Sequence, residues 1–336
     1  MRPAIPAVTQ FNHVHWMRMN SKDLEVKQKH HYVWARYLKA WATRNDIHYI
    51  TKTGLPANDS VKGLARELGF YKITTFNDDD LLYIRTISKL ASEDLQRLHM
   101  GFLEDFISIS NLLKARARDH HADTDLLSQI LQFNILEDMH GKIERQAWPI
   151  ISELRKGNTA LLDDQTQRNY FCFYIAQQLV RTKTVRDKSM AASSRNLPDF
   201  VTSAMRRNWW FVSFMLGINL GKGLLETPKD RHFLIENKTG KPFLTSDRPV
   251  VNVHACMNET QLDNPPEKLD LYYPLSPTHA YMINDSEDYS HLKYRVTIED
   301  VLNLNKRMAE TCGDTVYGST RESVLQVRQY IPQWKR

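Results

Sequence analysis

An α+β fold is the class this sequence predicts: a mostly helical body packed on a small, mainly antiparallel C-terminal sheet. Two observations carry that expectation. From Asp78 to Leu225 apolar residues recur at helical spacing, as in Leu126, Leu127, Ile130, Leu131 and Ile135. After Thr227-Pro228 the period shortens to that of strands, with His232 to Glu236, Phe243 to Ser246, Leu271 to Leu275 and Ala280 to Ile283 separated by turn residues. The 336 residues are enough for a large core and read as an irregular arm over 1–21 and one domain over 22–336. Within that domain the helical part runs over 22–226 and the β-rich part over 227–336.

The elements follow in order. Asp23 to Trp41 reads as a helix with Ser21 as its cap, and Ile47 to Thr53 as a short strand before the turn Thr53-Gly54-Leu55-Pro56. Ser60 is placed to cap a short helix through Leu68, ended by Gly69. Helices are expected near 79–97, 100–118, 123–138, 139–156, 162–181 and 198–224, with breaks at His120-His121, Gly157-Asn158 and Leu197-Pro198. Past the strands, Asn258 to Lys268 is a polar loop, Ile298 to Thr311 a helix, Thr315 to Tyr317 a strand and Glu322 to Tyr330 a last helix.

Composition narrows the class. Hydrophobic residues at 42% and charged residues at 25% are ordinary for a folded protein. No segment reaches the roughly 20 apolar residues of a membrane helix. The nearest approach, Trp209 to Leu220, reads as a buried core helix. The N-terminus has no long apolar signal region, and Cys172, Cys256 and Cys312 make neither a CxxC pair nor a zinc spacing. A soluble protein of the reducing cytoplasm, with no membrane partner, is expected. The net charge of +6 is uneven: Arg181 to Arg207 holds seven Lys/Arg against Asp187 and Asp199. Such a stretch suits nucleic acid or another phosphate-bearing ligand, though charge alone favours a solvated helix face.

Several motifs carry chemistry in other settings. His13-Val14-His15 has the spacing of a strand-borne metal pair, without further ligands to support it. Asp119-His120-His121 spells a phosphoesterase signature but lies between two helices. Glu137, His140 and Glu144 share one helix face, half of a di-metal carboxylate site, with no second Glu-x-x-His to complete it. Walker, GxGxxG and GxSxG patterns are absent.

Four separated segments share a further pattern. They are His31-Tyr32-Val33 followed by Tyr37-Leu38 and Trp41; Gln178-Leu179-Val180-Arg181-Thr182 with Arg186 beyond; Phe243-Leu244-Thr245-Ser246-Asp247-Arg248-Pro249-Val250; and Tyr273-Pro274-Leu275-Ser276. Asn303 or Asn305 and Val316-Tyr317 close it. In this order the segments resemble the bacterial domain-of-unknown-function 4238 family, from about residue 30 to 320. Trp34 stands where the family pattern has proline. The resemblance implies a genomic setting of mobile elements and anti-phage defence islands.

A nuclease-like defence effector acting on RNA, other nucleic acid or nucleotide phosphates is therefore one expectation. His31 would be acid or base, Arg181 would stabilise the phosphorane, and Asp247 would orient His31 or act as base. Gln178, Arg186, Ser246, Tyr273 and Ser276 would bind substrate. A metal-assisted version would bring Mg²⁺ or Mn²⁺ to Asp247 and Glu144. The alternative is a non-catalytic module that recognises a phage component, such as a trigger protein, through an aromatic patch like Trp209 and Trp210 beside Arg206 and Arg207. A third reading is a helical carboxylate metalloprotein on Glu137, His140 and Glu144.

Overall fold

The computed structural model describes residues 25–118, 122–258 and 266–334. The N-terminal arm, His13-Val14-His15, Asp119-His120-His121 and part of the polar loop after Asn258 lie outside them.

The helical body begins with α1 (Ala35–Leu38), followed by α2 (Asp78–Ser88), α3 (Glu93–Arg116) and α4 (Ala122–Leu154). Then come α5 (Gln165–Val180), α6 (Lys183–Asn196), α7 (Asp199–Arg207) and α8 (Trp209–Glu226). Two more helices, α9 (Ile298–Thr311) and α10 (Arg321–Val327), lie near the C-terminus. Local chemistry sets several starts. Asn77 and Asp80 form a capping box on α2, Thr297 and Asp300 another on α9, and the Asp164 carboxylate accepts from the Gln167 amide at the start of α5. The helix that opens on Trp209 and Trp210 is core, with both indoles 4% exposed, which removes them as a surface patch. It packs closely on α5, where a Cβ on Gly217 would meet the Gln177 side chain at 2.4 Å.

Three antiparallel sheets accompany the helices. The strands β1 (Lys29–His31) and β4 (Arg66–Leu68) form a two-stranded ribbon. The strands β2 (Asp46–Ile50), β3 (Pro56–Ser60), β6 (Thr245–Ser246) and β10 (Val316–Gly318) form a sheet in the order β3-β2-β10-β6. The third sheet, ordered β5-β9-β8-β7, holds β5 (His232–Glu236), β7 (Val251–Asn252), β8 (Leu271–Pro274) and β9 (His279–Ile283). The mixed class agrees with expectation, but the strands are not confined to the C-terminal part. Residues 46–60 supply half of the second sheet.

Four local expectations are corrected. Asp23 to Trp41 is not one helix: its middle is β1, because Lys29, His30 and His31 pair with Leu68, Glu67 and Arg66. Ser60 to Leu68 is a 3₁₀ turn (Val61–Gly63) followed by β4, with Ala65 at φ +49 making the bend. The two helices expected over 123–156 are a single α4, since Leu136, Met139, His140, Ile143, Glu144 and Ala147 bury one continuous stripe across Gly141. The segment 198–224 is two helices that meet at Asn208.

One hydrophobic cluster runs from Tyr32 on the N-terminal side through α4, α5 and α8 to Tyr273, Tyr281 and Tyr317 on the strands. Long polar ties cross it. The Tyr37 hydroxyl donates to the Pro274 carbonyl at 2.6 Å and bonds the Thr245 hydroxyl at 2.7 Å, and the Trp41 indole donates to the Phe243 carbonyl at 2.7 Å. Among the described residues no helix is long and apolar enough to cross a membrane.

Candidate functional site

Strand alternation in β1 sends His30 and His31 to opposite faces. His30 is fully buried; its Nδ1 accepts from the Tyr71 amide at 2.7 Å and its ring stacks on Tyr71. His31 is only part-buried. Its Nε2 lies 3.2 Å from the Lys62 carbonyl, which can only accept, so Nε2 carries the proton and Nδ1 the lone pair. Burial, and then the positive charges of Arg66 and Arg181, lower the His31 pKa and hold the ring neutral.

Behind His31, α4 presents Glu137, His140 and Glu144 on one face. Arg181, 2% exposed, donates from Nη2 to Glu144 at 2.5 Å and to the Gln178 side-chain oxygen at 2.9 Å. Gln178 in turn donates to the Tyr32 carbonyl at 2.8 Å. Residues 31–32, α4 and the end of α5 are thus joined in one polar network. His140 lies under Tyr71, ring centroids 4.5 Å apart, and is held neutral by burial and by Arg181. Both of its ring nitrogens are buried without a hydrogen-bond partner among the described residues. Glu137 is pushed up to about 8 by burial and the Glu144 charge, partly offset by Arg181 and the His31 main-chain amide. It therefore carries its proton at neutral pH.

The other expected site residues surround this network or lie away from it. Arg186 forks onto both Glu67 oxygens at 2.6 and 3.2 Å and covers the Phe70 ring. Asp247 lies on the far side of Tyr32, whose hydroxyl is pushed up by burial and by the charges of Asp247, Asp314 and Glu67. Its carboxylate accepts from the amides of Gly313 and Asp314 at 2.9 and 2.6 Å, and burial pushes it up to about 6. Ser246 is fully buried and closes a turn with Arg248, accepting from its amide and donating to its carbonyl. Tyr273 bonds the Tyr174 hydroxyl at 2.9 Å and stacks on Tyr37. Ser276 accepts from the amides of Thr278 and His279 at the turn between β8 and β9.

So His31, Gln178, Arg181 and Glu144 come together. Arg186 and Asp247 flank them across Tyr32, while Ser246, Tyr273 and Ser276 serve turns and packing. Of the two residues expected to hold a metal, Glu144 is bound to Arg181 and Asp247 to two main-chain amides. Among the described residues the His, Cys or carboxylate donors that gather in a group of three, within 4.8 Å of one another, are His254, Asp270 and Asp288. There Asp270 is already taken by the Asp285 and Ser286 amides and the Ser286 hydroxyl.

With this arrangement in view, the comparisons with known proteins are direct. The family model described as "Protein of unknown function (DUF4238)" matches residues 29–214 and 222–322, most of the chain. The chain belongs to the DUF4238 family. Neither a curated protein nor a solved structure matches it. The segments that carry the DUF4238 resemblance are the ones that bond one another: Tyr32 with Gln178, Tyr37 with Thr245 and Pro274, and Trp41 with Phe243. Sequence reasoning missed Tyr71, Lys62 and Arg66 as neighbours of His31. The ribbon that delivers them pairs residues far apart in the chain, and the only local signal was the turn at Gly69.

Proposed function

We propose that this DUF4238 protein is a nuclease-like effector of anti-phage defence that cleaves phosphate esters of nucleic acid, RNA first, by acid–base chemistry at His31. The observation that carries the reading is a pair of groups tuned in opposite directions beside a basic rim. His31 is held neutral, its Nδ1 without a hydrogen-bond partner among the described residues, and Glu137 is held protonated. In RNA, Nδ1 of His31 would take the proton of the 2′-hydroxyl as its oxygen attacks the adjacent phosphorus. Glu137 would give its proton to the departing 5′-oxygen, closing the balance without a further reactant. Lys62 and Arg66, both exposed, are placed to offset charge on the phosphorane. Arg181, bound to Glu144 and Gln178, has a positioning role in this scheme. The defence context rests on the setting that the family resemblance implies.

One observation favours a second reading. Gln178, Arg181, Ser246, Asp247 and Tyr273 are each at most 2% exposed, as expected if the family pattern holds a scaffold together and the protein binds without catalysing.

The test is to incubate purified protein with tRNA, mRNA and single-stranded DNA, in EDTA and with Mg²⁺ or Mn²⁺. RNA cleavage in EDTA, reduced about 100-fold or more in His31→Ala and in Glu137→Gln, is the expected result. Intact nucleic acid in every condition, with His31→Ala still protecting cells from phage, would leave the binding module standing instead.

A further inference from the structure

A second candidate site lies at the opposite end of α5. A cavity of about 630 Å³ is bounded by the segment from Gly157 to Arg168, by β5 and by the residues from Leu292 to Val296. Its volume falls within the range of small-molecule sites and is larger than a bare inorganic anion needs. β5 is the edge of its sheet, so one side of its main chain has no strand partner within that sheet.

The charge of the lining is lopsided. Lys238 is paired with Glu236 at 2.9 Å, which leaves Arg168, Lys229, Lys293 and Arg295 against Asp163. Arg168 is the inner cation. Its Nη2 donates to Gln165 at 2.6 Å, its Nε is buried without a hydrogen-bond partner, and among the described residues no carboxylate pairs with it. The guanidinium instead faces uncharged groups, the His232 imidazole and the Tyr281 hydroxyl, which are bonded to each other at 3.1 Å. Arg168 is part-buried with its Nε shielded from solvent, so an arriving anion would give that donor a charge-assisted partner. The remaining wall is apolar and aromatic: Phe233 and Leu234 line it, and Tyr294 stands at its edge 89% exposed.

We infer that this cavity binds a nucleoside phosphate, with the phosphate on Arg168 and Arg295 and the base against Tyr294, while Lys293, held over the Phe233 ring and on the Asp230 carbonyl, adds positive charge nearby. Guanidinium and ammonium groups supply charge-assisted donors for phosphate oxygens, and a flat ring supplies a stacking surface that tolerates any base. The site is independent of the His31 reading. Arg168 and Arg181 stand 13 residues apart along α5, about 20 Å at helical rise.

Calorimetric titration of the full-length protein with AMP, ATP, adenosine and inorganic phosphate tests it. Both nucleotides should bind, and adenosine and inorganic phosphate should each bind at least about tenfold more weakly. Arg168→Gln and Arg295→Ala should each weaken nucleotide binding about tenfold, and Tyr294→Ala should weaken nucleotides while leaving phosphate unchanged. Arg295 and Tyr294 are exposed, so their variants report on the site even if Arg168→Gln folds poorly. His31→Ala should bind as the parent does. The inference fails if neither nucleotide binds at millimolar concentration, if phosphate binds as tightly as AMP, or if Arg295→Ala and Tyr294→Ala leave affinity unchanged. It also fails if His31→Ala alone abolishes binding, since the nucleotide would then occupy the His31 cleft.

Discussion

Arg181 and Glu144 form an ion pair closed off from solvent, Nη2 to carboxylate oxygen at 2.5 Å, with side chains 2% and 10% exposed. It joins α4 to the C-terminal end of α5, and Gln178 carries the link on to Tyr32. Burial works against the Arg181 charge, but the Glu144 carboxylate outweighs it and the pKa is raised, so the guanidinium stays charged at any working pH.

Such a pair is worth most when half of it is removed. Glu144→Ala strands a buried guanidinium and should cost about 3–5 kcal/mol in urea denaturation. The double variant Glu144→Leu with Arg181→Met removes both charges and should recover most of that loss. If Glu144→Ala costs under about 1 kcal/mol, the pair behaves like a solvated surface bridge and the buried network is not what joins the helices.

A second prediction concerns Asp247, whose two carboxylate oxygens accept from consecutive amides in the turn Gly313-Asp314. The turn is tight: a Cβ on Gly313 would stand 2.0 Å from the Thr184 hydroxyl oxygen. Asp247→Ala should therefore leave two amides without their acceptor and cost about 1–3 kcal/mol. The Gly313 and Asp314 amides should exchange hydrogen markedly faster by mass spectrometry or NMR, while the amides of α4 keep their protection. Unchanged exchange in that turn would show that the carboxylate is spare, and so open to a ligand.

How far these features were legible in the sequence depends on how local their causes are. β5 and α9 have the bounds that the sequence predicts, since a short apolar run after a proline turn and a helical apolar repeat are both written in neighbouring residues. The face shared by Glu137, His140 and Glu144 was legible from helical spacing alone. What occupies that face was not, since Arg181 arrives from another helix and the sequence suggested metal there instead. β1 was misread as helix for the same reason. Three residues gain strand geometry only by pairing with Arg66 to Leu68, and His30 gains its burial only from Tyr71. Gly141 does not interrupt α4: a glycine costs a helix about 1 kcal/mol, which the buried stripe on either side of it outweighs.

The last prediction follows from Glu137. Its ordinary value of 4.5 is pushed up to about 8 in the folded protein, with burial the largest cause and the Glu144 charge next. Between those two values the folded protein keeps a proton that the unfolded chain has released. The group's favourable contribution to stability is therefore complete below about pH 4.5 and is lost as pH rises through about 8. Glu137→Gln cannot titrate but keeps an oxygen to accept from the His31 amide. The variant should match the parent near pH 5 and be more stable by about 1–3 kcal/mol near pH 8.5, measured by urea denaturation across that range. His30 acts in the other direction, since burial lowers it to about 4 and so costs stability as pH falls below its ordinary 6.5. Both proteins share that term, so the difference between them isolates Glu137. Parallel stability curves for parent and variant would mean that Glu137 ionises normally, and would remove the proton donor from the proposed acid–base pair.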